Sequence, residues 1–390
     1  NWWLKDKSGK RIGGFNYIKV PAGKGLSSGY YMFDKRGRLC KGRHFHKVNA
    51  VIAGRKFKGT FYFGGKNGSL YCKRGWIKIG SQKYLLSSYG KRYENCWRWG
   101  YYLQADGTIA RSKKLPDGSY VDFEGHKCTK KDMELNGLKK KLRQMLNGYG
   151  GAWSVYVKDL KSGAVINLND QEMYPASTIK AFVMAASYEN MDRLRVQEGT
   201  ILKAEPLSDT VLNKLYALTE NMVTFSDNES FNEMVRLQTP SMQFNAGARV
   251  INRFLRGQGY QETAVLHTLA PSSTEPVGLG GSNTTSVEDC GKLLESIYRG
   301  ECVSEEASSQ MLSFLLMQDT RTKIPGGLTD SITIANKTGE NDSNQHDIAI
   351  VYGDRTDYVL CVMSENGGTE ETAVSNIRMN SALTYYALNW

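Results

Sequence analysis

The first 125 or so residues contain no apolar spacing that returns every three or four positions. Short aromatic runs alternate instead with glycine-centred turns, as in "GYYMFDKRGRLCKG" from Gly29, "GTFYFGGKNGSLYCKRGW" from Gly59, "GSQKYLLSSYGKRYENCWRWG" from Gly80 and "GYYLQADGTIARS" from Gly100. Such a pattern excludes amphipathic helices and predicts successive β-hairpins broken at turns such as "KNG" and "ADG". One hairpin cannot bury its own aromatic face, so the units must stack on one another. From Lys130 the spacing becomes helical, with Met133, Leu135, Leu138, Leu142 and Leu146 on one side. The expected organisation is therefore multidomain, with an all-β hairpin-repeat region over 1–128 and an α+β domain over 129–390.

Charge divides at the same place. The chain of 390 residues has 51 Lys+Arg against 39 Asp+Glu, and residues 1–128 hold 27 of the former but only 7 of the latter. The front region thus carries a balance of +20 and the remainder −8, which predicts that the front region meets an anionic polymer or surface. An all-β Gly/Tyr array is no recognised reader of nucleic acid, which argues against that partner. No run of about 18 apolar residues is present, so no membrane span is expected. The opening "NWWLKDKSGK" reads as neither an initiator segment nor a signal peptide. Seven cysteines are widely spaced without a C-x-x-C, so few or no disulfides and no zinc site are expected. His44-x-His46 reads as an exposed histidine pair in a basic repeat, and no metal is assigned.

Beyond the first helix, "AWSVYVKDLKSGAVINLND" reads as two alternating strands around a "KSG" turn. Several helices run from Met191 to about Met317. Three strands follow, "SITIANKTGE", "HDIAIVYGD" and "DYVLCVMSENG", and then a terminal helix. Strands at both ends with helices between predict one antiparallel sheet assembled from the two termini, with a helical subdomain inserted.

Three strings within that layout carry chemistry. "STIKAFVMAASYENM" is apolar almost throughout, yet it opens with Ser177 and puts Lys180 one turn later on the same face. A lysine in the first turn of a buried helix is desolvated and opposes the positive end of the helix dipole. Alone, Ser-x-x-Lys also suits a serine cap followed by a surface lysine. "FSDNES" adds Ser226-Asp227-Asn228 at a break between helical segments, and "NKTGEN" adds Lys337-Thr338-Gly339 at the end of a strand.

Together, and in this order, the three strings resemble the class A β-lactamase and penicillin-binding serine acyltransferase family. The resemblance runs from about Asp132 to Trp390 and includes "NTTSVEDCGKLLESIYRG". It implies that Ser177 attacks an amide carbonyl to form an acyl-enzyme, with Lys180 as a neutral base. Ser226 would relay a proton to the leaving nitrogen, with Lys337 orienting its hydroxyl. Asn228 would hold Lys180 and the substrate's side-chain amide. Backbone N–H groups of Ser177 and Glu340 would form the oxyanion hole, beside Gly339, and Thr338 with Lys337 would grip the substrate carboxylate. No cofactor is required.

The sequence departs from that family in the Ω-loop, where the deacylating glutamate is expected. Counting back from Asn283, "LHTLAPSST" matches Pro271 to the family's proline and puts Ala270 at the glutamate, Thr274 at the asparagine. Glu275 and Glu262 are the alternative bases. His346 falls where many lactamases carry a carboxylate-binding arginine, and it either takes that role or is a plain strand histidine. The stretch between Ser177 and Ser226 is also shorter than is usual in the family.

The front region resembles the choline-binding and glucan-binding cell-wall repeats of Gram-positive surface proteins, best at "RGWIKIGSQKYLL" and "RWGYYLQADGTIA". That resemblance implies aromatic pockets walled by Trp76, Tyr84, Trp97, Trp99, Tyr101 and Tyr102, for a choline-bearing or anionic wall polymer. The combined expectation is an extracellular, wall-associated D,D-peptidase acting on peptidoglycan stem peptides and acylated by β-lactams. A true β-lactamase and a non-catalytic wall-binding sensor are the alternatives.

Overall fold

The computed structural model describes residues 2–19, 26–270 and 278–390. Pro271, Thr274 and Glu275 lie outside the described residues. The chain divides into two compact units, Asn1–Thr129 and Lys130–Trp390. No helix is long and apolar enough to cross a membrane among the described residues. All seven cysteines are free.

The first unit is built of small antiparallel sheets. Gly14–Ile18 pairs with Gly29–Phe33, His44–Ile52 with Arg55–Phe63, Gly75–Ile79 with Gln82–Leu86, and Cys96–Arg98 with Tyr101–Leu103. A three-stranded sheet of two-residue strands, Lys113–Lys114, Tyr120–Val121 and Lys127–Cys128, follows. Two hairpin tips, Ala53-Gly54 and Trp99-Gly100, have both residues at positive φ (49° and 75°, 50° and 80°). Consecutive positive φ values match the right-handed twist of paired strands.

Between hairpins one five-residue turn recurs. The N–H of its first residue donates to the fifth residue's carbonyl, and a glycine at the fourth position donates back to the first. It occurs at 6–10, 34–38, 65–69, 87–91, 104–108, 115–119 and 122–126. The glycine φ ranges from 70° (Gly90) to 96° (Gly125), a region that side chains disfavour. Where the first residue is Asp6, Asp34 or Asp122, its Oδ1 also accepts the N–H groups two and four residues on. The return from a turn then pairs with an earlier strand, as in Tyr31–Ser69, Phe61–Lys91 and Tyr101–His126. The apolar clusters are correspondingly small: Val48, Phe57, Phe61, Phe63 and Leu70 form one, and Leu26, Tyr31, Phe33 and Leu39 another.

The second unit is α+β. Its five-stranded antiparallel sheet runs in the order Val165–Leu168, Ala152–Asp159, Tyr358–Glu365, Asn344–Val351, Ile334–Glu340. The strand from the beginning of the unit thus pairs with the one near its end, with Tyr156 opposite Cys361. Both faces are covered, so side chains alternate between two cores. Val155, Val157, Leu360 and Val362 meet Leu138, Leu142 and Leu146 of helix Asn136–Gly148 and Ile377 of helix Glu370–Asn389. Tyr156, Val359, Cys361 and Met363 meet the helices of the other layer. The helical run expected from Lys130 is broken into Lys130–Glu134 and Asn136–Gly148. At the break the Leu135 N–H bonds Asp132 O, while the Asp132 carboxylate accepts Val165 N–H.

Helix Ile179–Glu189 is buried on every side from Ile179 to Ser187. That explains an apolar string without amphipathic spacing: this helix is the axis of the helical layer and has no solvent face.

Candidate active site

The helix Ile179–Glu189 is preceded by a single 3₁₀ turn, Ala176–Thr178, and Ser177 lies in that turn rather than capping the α-helix. Thr178 closes it, its N–H and Oγ1 both bonding Pro175 O. Ala176 (φ 46°) and Ser226 (φ 60°) both adopt left-handed backbone without being glycine. Strain of this kind persists only where the surroundings fix it, and it concentrates at functional sites. Gly339 of strand Ile334–Glu340 lies against this turn, where an added Cβ would stand 2.6 Å from Pro175 O and 3.0 Å from Thr178 N. Glycine is required there for strand and turn to approach.

The three strings converge. Lys180 Nζ lies 2.8 Å from Ser177 Oγ, 2.6 Å from Ser226 O, 2.6 Å from Asn228 Oδ1 and 3.3 Å from Ser226 Oγ. Lys337 Nζ donates to Ser226 Oγ at 2.9 Å and to Thr338 O at 3.0 Å. Both lysines are fully buried. Burial first, and then the Lys337 charge, lower the Lys180 pKa to about 6. Burial lowers Lys337 to about 7 against the opposing pull of Glu340 and Asp347. A neutral Lys180 fits its partners: Ser226 O and Asn228 Oδ1 accept its two hydrogens, and the lone pair is left to receive the Ser177 hydroxyl proton.

Strand Ile334–Glu340 is the sheet edge. Asn341 and Asn344 exchange N–H···O bonds, and alternation from there turns the N–H groups of Thr338 and Glu340 away from the neighbouring strand, to the open side. The Glu340 side chain is engaged as well. Its Oε2 is 2.5 Å from Nζ of Lys323, a buried lysine that also donates to Gly339 O and His346 O. Asp347 is buried behind this edge, bonded to Ile324 N–H and Asn336, and burial raises its carboxyl to about 6. Lys323 and Asp347 gave no sign in the sequence, since neither belongs to a recognisable string.

Two of the expected binding residues are committed elsewhere. His346 is fully buried, with Nε2 2.8 Å from Tyr174 O and Nδ1 accepting the Ser364 N–H at 3.2 Å. A carbonyl only accepts, so Nε2 carries the proton and the ring is neutral, its pKa lowered to about 4 by burial. His346 therefore anchors the backbone three residues before Ser177 and has no charge to offer a carboxylate. Asn228 Nδ2 donates to Ala270 O at 2.5 Å, so only part of its amide remains for a substrate.

That last bond brings Ala270 to the site, one side chain away from Lys180. Three buried asparagines hold the segment leading to it. Asn252 makes paired bonds with Val265 N–H and C=O, Asn232 does the same with Leu269, and Asn283 accepts from Leu266 and His267 N–H and donates to His267 O. Glu262 is exposed, and its N–H bonds Asp289.

In the first unit the six expected aromatics separate into three groups. Trp76 meets Trp99 and Tyr101 edge-on at 6.4 and 5.7 Å, with the Arg74 guanidinium 5.5 Å over Trp99, which is 50% exposed. Trp97 and Tyr102 pack together against the cluster of Ala110, Leu115 and Val121, and Trp97 Nε1 donates to Asp117. Tyr84 lies on Phe45, with Arg92 nearby. Asp122, Glu124 and His126 bring potential metal-ligand atoms within 4.8 Å of one another. Asp122 Oδ1, however, is spent on three N–H groups of its own turn.

Ser177 against the buried Lys180, with Ser226 between Lys180 and the buried Lys337, on an antiparallel sheet with an inserted helical layer, is an arrangement of the serine-hydrolase class. The chain belongs to the beta-lactamase enzyme family, which matches residues 137–388. Among solved structures, PBP-A is 25% identical over 65% of this chain and 96% of its own, with a TM-score of 0.52. A variant of PBP-A is an acyl-enzyme complex with penicillin G. A β-lactamase from Xanthomonas campestris pv. campestris (18% identity, 66% of this chain and 99% of that one, TM-score 0.53) shares the fold. So does an ancestral class A β-lactamase (21%, 64% and 99%, TM-score 0.52). No curated protein matches the chain.

Proposed function

We propose that the protein is a wall-associated serine D,D-peptidase that acts on stem peptides ending in D-Ala-D-Ala and is acylated, with slow release, by β-lactams. Ser177 Oγ attacks the carbonyl carbon while Lys180 takes its proton. The C–N bond breaks as Ser226, held by Lys337, passes a proton to the leaving nitrogen, and an ester on Ser177 remains. The N–H groups of Ser177 and Glu340 stabilise the oxyanion. The observation that carries the reading is Ala270: the residue joined through Asn228 to Lys180 has a methyl side chain and cannot activate water. In this reading Ser177 is the nucleophile and Lys180 the acylating base, and a deacylating carboxylate is not supplied from position 270. The hairpin unit, with its half-exposed Trp76–Trp99–Tyr101 cluster and surplus of cations, would hold the enzyme on a choline-bearing or anionic wall polymer outside the cell.

Reaction with a chromogenic cephalosporin, followed by intact mass over time, tests this. A covalent adduct that persists for hours and is absent from Ser177→Ala is expected. Rapid turnover without a trapped adduct would establish a β-lactamase instead. Neither adduct nor turnover would leave a non-catalytic wall-binding protein. Release of D-alanine from acyl-D-Ala-D-Ala separates a peptidase from a sensor that is merely acylated.

A further inference from the structure

A second site lies in the hairpin unit, away from the Trp76–Trp99–Tyr101 cluster. It is a cavity of about 380 Å³ between strand Arg55–Phe63 and the turn at 87–91. That volume is within the range of small-ligand sites. Phe57 and Phe61, both buried, supply apolar lining, Arg55 and Lys91 supply cations, and Lys56 and Lys58 line it as well, on strand positions that alternate with Phe57. No acidic residue lines it, and none of the four basic residues has an ion pair among the described residues. Elsewhere in the unit Arg38 and Arg92 are neutralised by Asp34 and Glu94. The Arg55 and Lys91 cations stand at this cavity without a counter-charge, which an anion would supply.

The site also has built features. The Arg55 guanidinium stacks 3.5 Å over the Tyr89 ring, which fixes its plane and leaves its N–H edge free to fork onto two oxygens. Lys91 lies across Gly59, where a Cβ would stand 2.5 Å from Lys91 Cε, so glycine makes room for this amine. Tyr62 N–H and Thr60 C=O point to the strand edge that meets the 87–91 turn. By alternation the N–H groups of Lys56 and Lys58 face the same edge, beyond the end of that pairing. The Ser87 and Tyr89 hydroxyl-bearing side chains complete the lining.

We infer that this cavity binds the phosphodiester group of a polyol-phosphate polymer. The ligand must be anionic, accept from a guanidinium fork, and continue past an open-sided groove without a flat base to stack. A charged, flexible polyol phosphate meets those demands. A duplex does not, because the cations line a concave pocket and not a ridge that could follow a groove. The inference rests on the wall-polymer part of the function proposed above and is independent of Ser177 chemistry.

The test uses the full chain and soluble poly(glycerol phosphate), with binding measured by calorimetry at two salt concentrations. Binding that weakens with salt is expected, and the double variant Arg55→Gln/Lys91→Gln should weaken it by about tenfold or more. Free choline should leave it unchanged. Near-UV circular dichroism establishes that the double variant is folded. Unchanged binding in the double variant would overturn the site. Binding competed by choline would overturn it while leaving the wall reading intact. Equal affinity for duplex DNA would overturn the polymer assignment, and no polymer binding at all would remove both readings.

Discussion

Replacing Lys180 with methionine is expected to slow acylation of Ser177 by about 10²- to 10⁴-fold, the range typical of a lost general base. The expectation follows from the four contacts of Nζ: once Ser226 O and Asn228 Oδ1 have taken its hydrogens, Ser177 Oγ at 2.8 Å is the nearer of the two hydroxyls that can give a proton to a neutral amine, Ser226 Oγ lying at 3.3 Å. With a Lys180 pKa of about 6, acylation in the unaltered enzyme should rise with pH through that value and then level. Lys337→Met removes a nearby positive charge that disfavours protonation of Lys180, so the acid limb should move to higher pH. Stopped-flow acylation across pH 4.5–8 checks both. A methionine variant that acylates at the normal rate would mean that another group takes the Ser177 proton.

Ala270→Glu should act on the other half of the reaction. It puts a carboxylate next to the carbonyl that Asn228 Nδ2 holds at 2.5 Å, within a side chain's length of Lys180 and the ester. The lifetime of the cephalosporyl adduct should shorten by about 10²-fold or more, with the acylation rate little changed. Time-resolved intact mass reads both rates. An adduct as persistent as before would show that a base at 270 is not what deacylation lacks.

Much of the candidate site is legible in the sequence because it is made of short strings on predictable elements. Ser177, Lys180, Ser226, Asn228 and Lys337 come together as such strings imply. Residues that act through tertiary contact left no local mark. Lys323 reads as one more surface lysine in "TRTKIPGG", yet it is buried against Glu340. Asn232 and Asn252 read as ordinary helical polar residues, yet each mimics a strand partner for the segment before Ala270. His346 lies in a strand that the apolar pattern of "HDIAIVYGD" predicts, but its orientation depends on Tyr174 O, 172 residues away. In the hairpin unit the aromatic runs revealed the strands. The five-residue turn was harder to see, because its first position is Asp, Gly, Ser, Gln or Leu and only the fourth-position glycine is constant. The helical layer was foreseeable from length and apolarity, while the break at Leu135 depends on Asp132 bonding the distant Val165.

The buried amines also shape how the fold withstands pH. An unfolded chain holds both lysines protonated up to about 10.5, whereas the folded one releases those protons near 6 and 7. Above those values the unfolded form binds more protons, so these two residues make the native state progressively more stable toward alkaline pH. Asp347 has the opposite sign: its raised pKa of about 6 makes the folded form the more protonated between about 4 and 6, so stability falls with pH across that window. The two trends meet near pH 6, where this group of residues opposes folding most. Urea midpoints of the native chain and Lys180→Met from pH 6.5 to 9 should diverge, the native chain alone gaining the lysine's share; parallel curves would contradict a neutral Lys180. A fold built this way is more easily unfolded in mild acid, where Lys180 also takes up its proton, and resistance to alkali accompanies the neutral state of that amine.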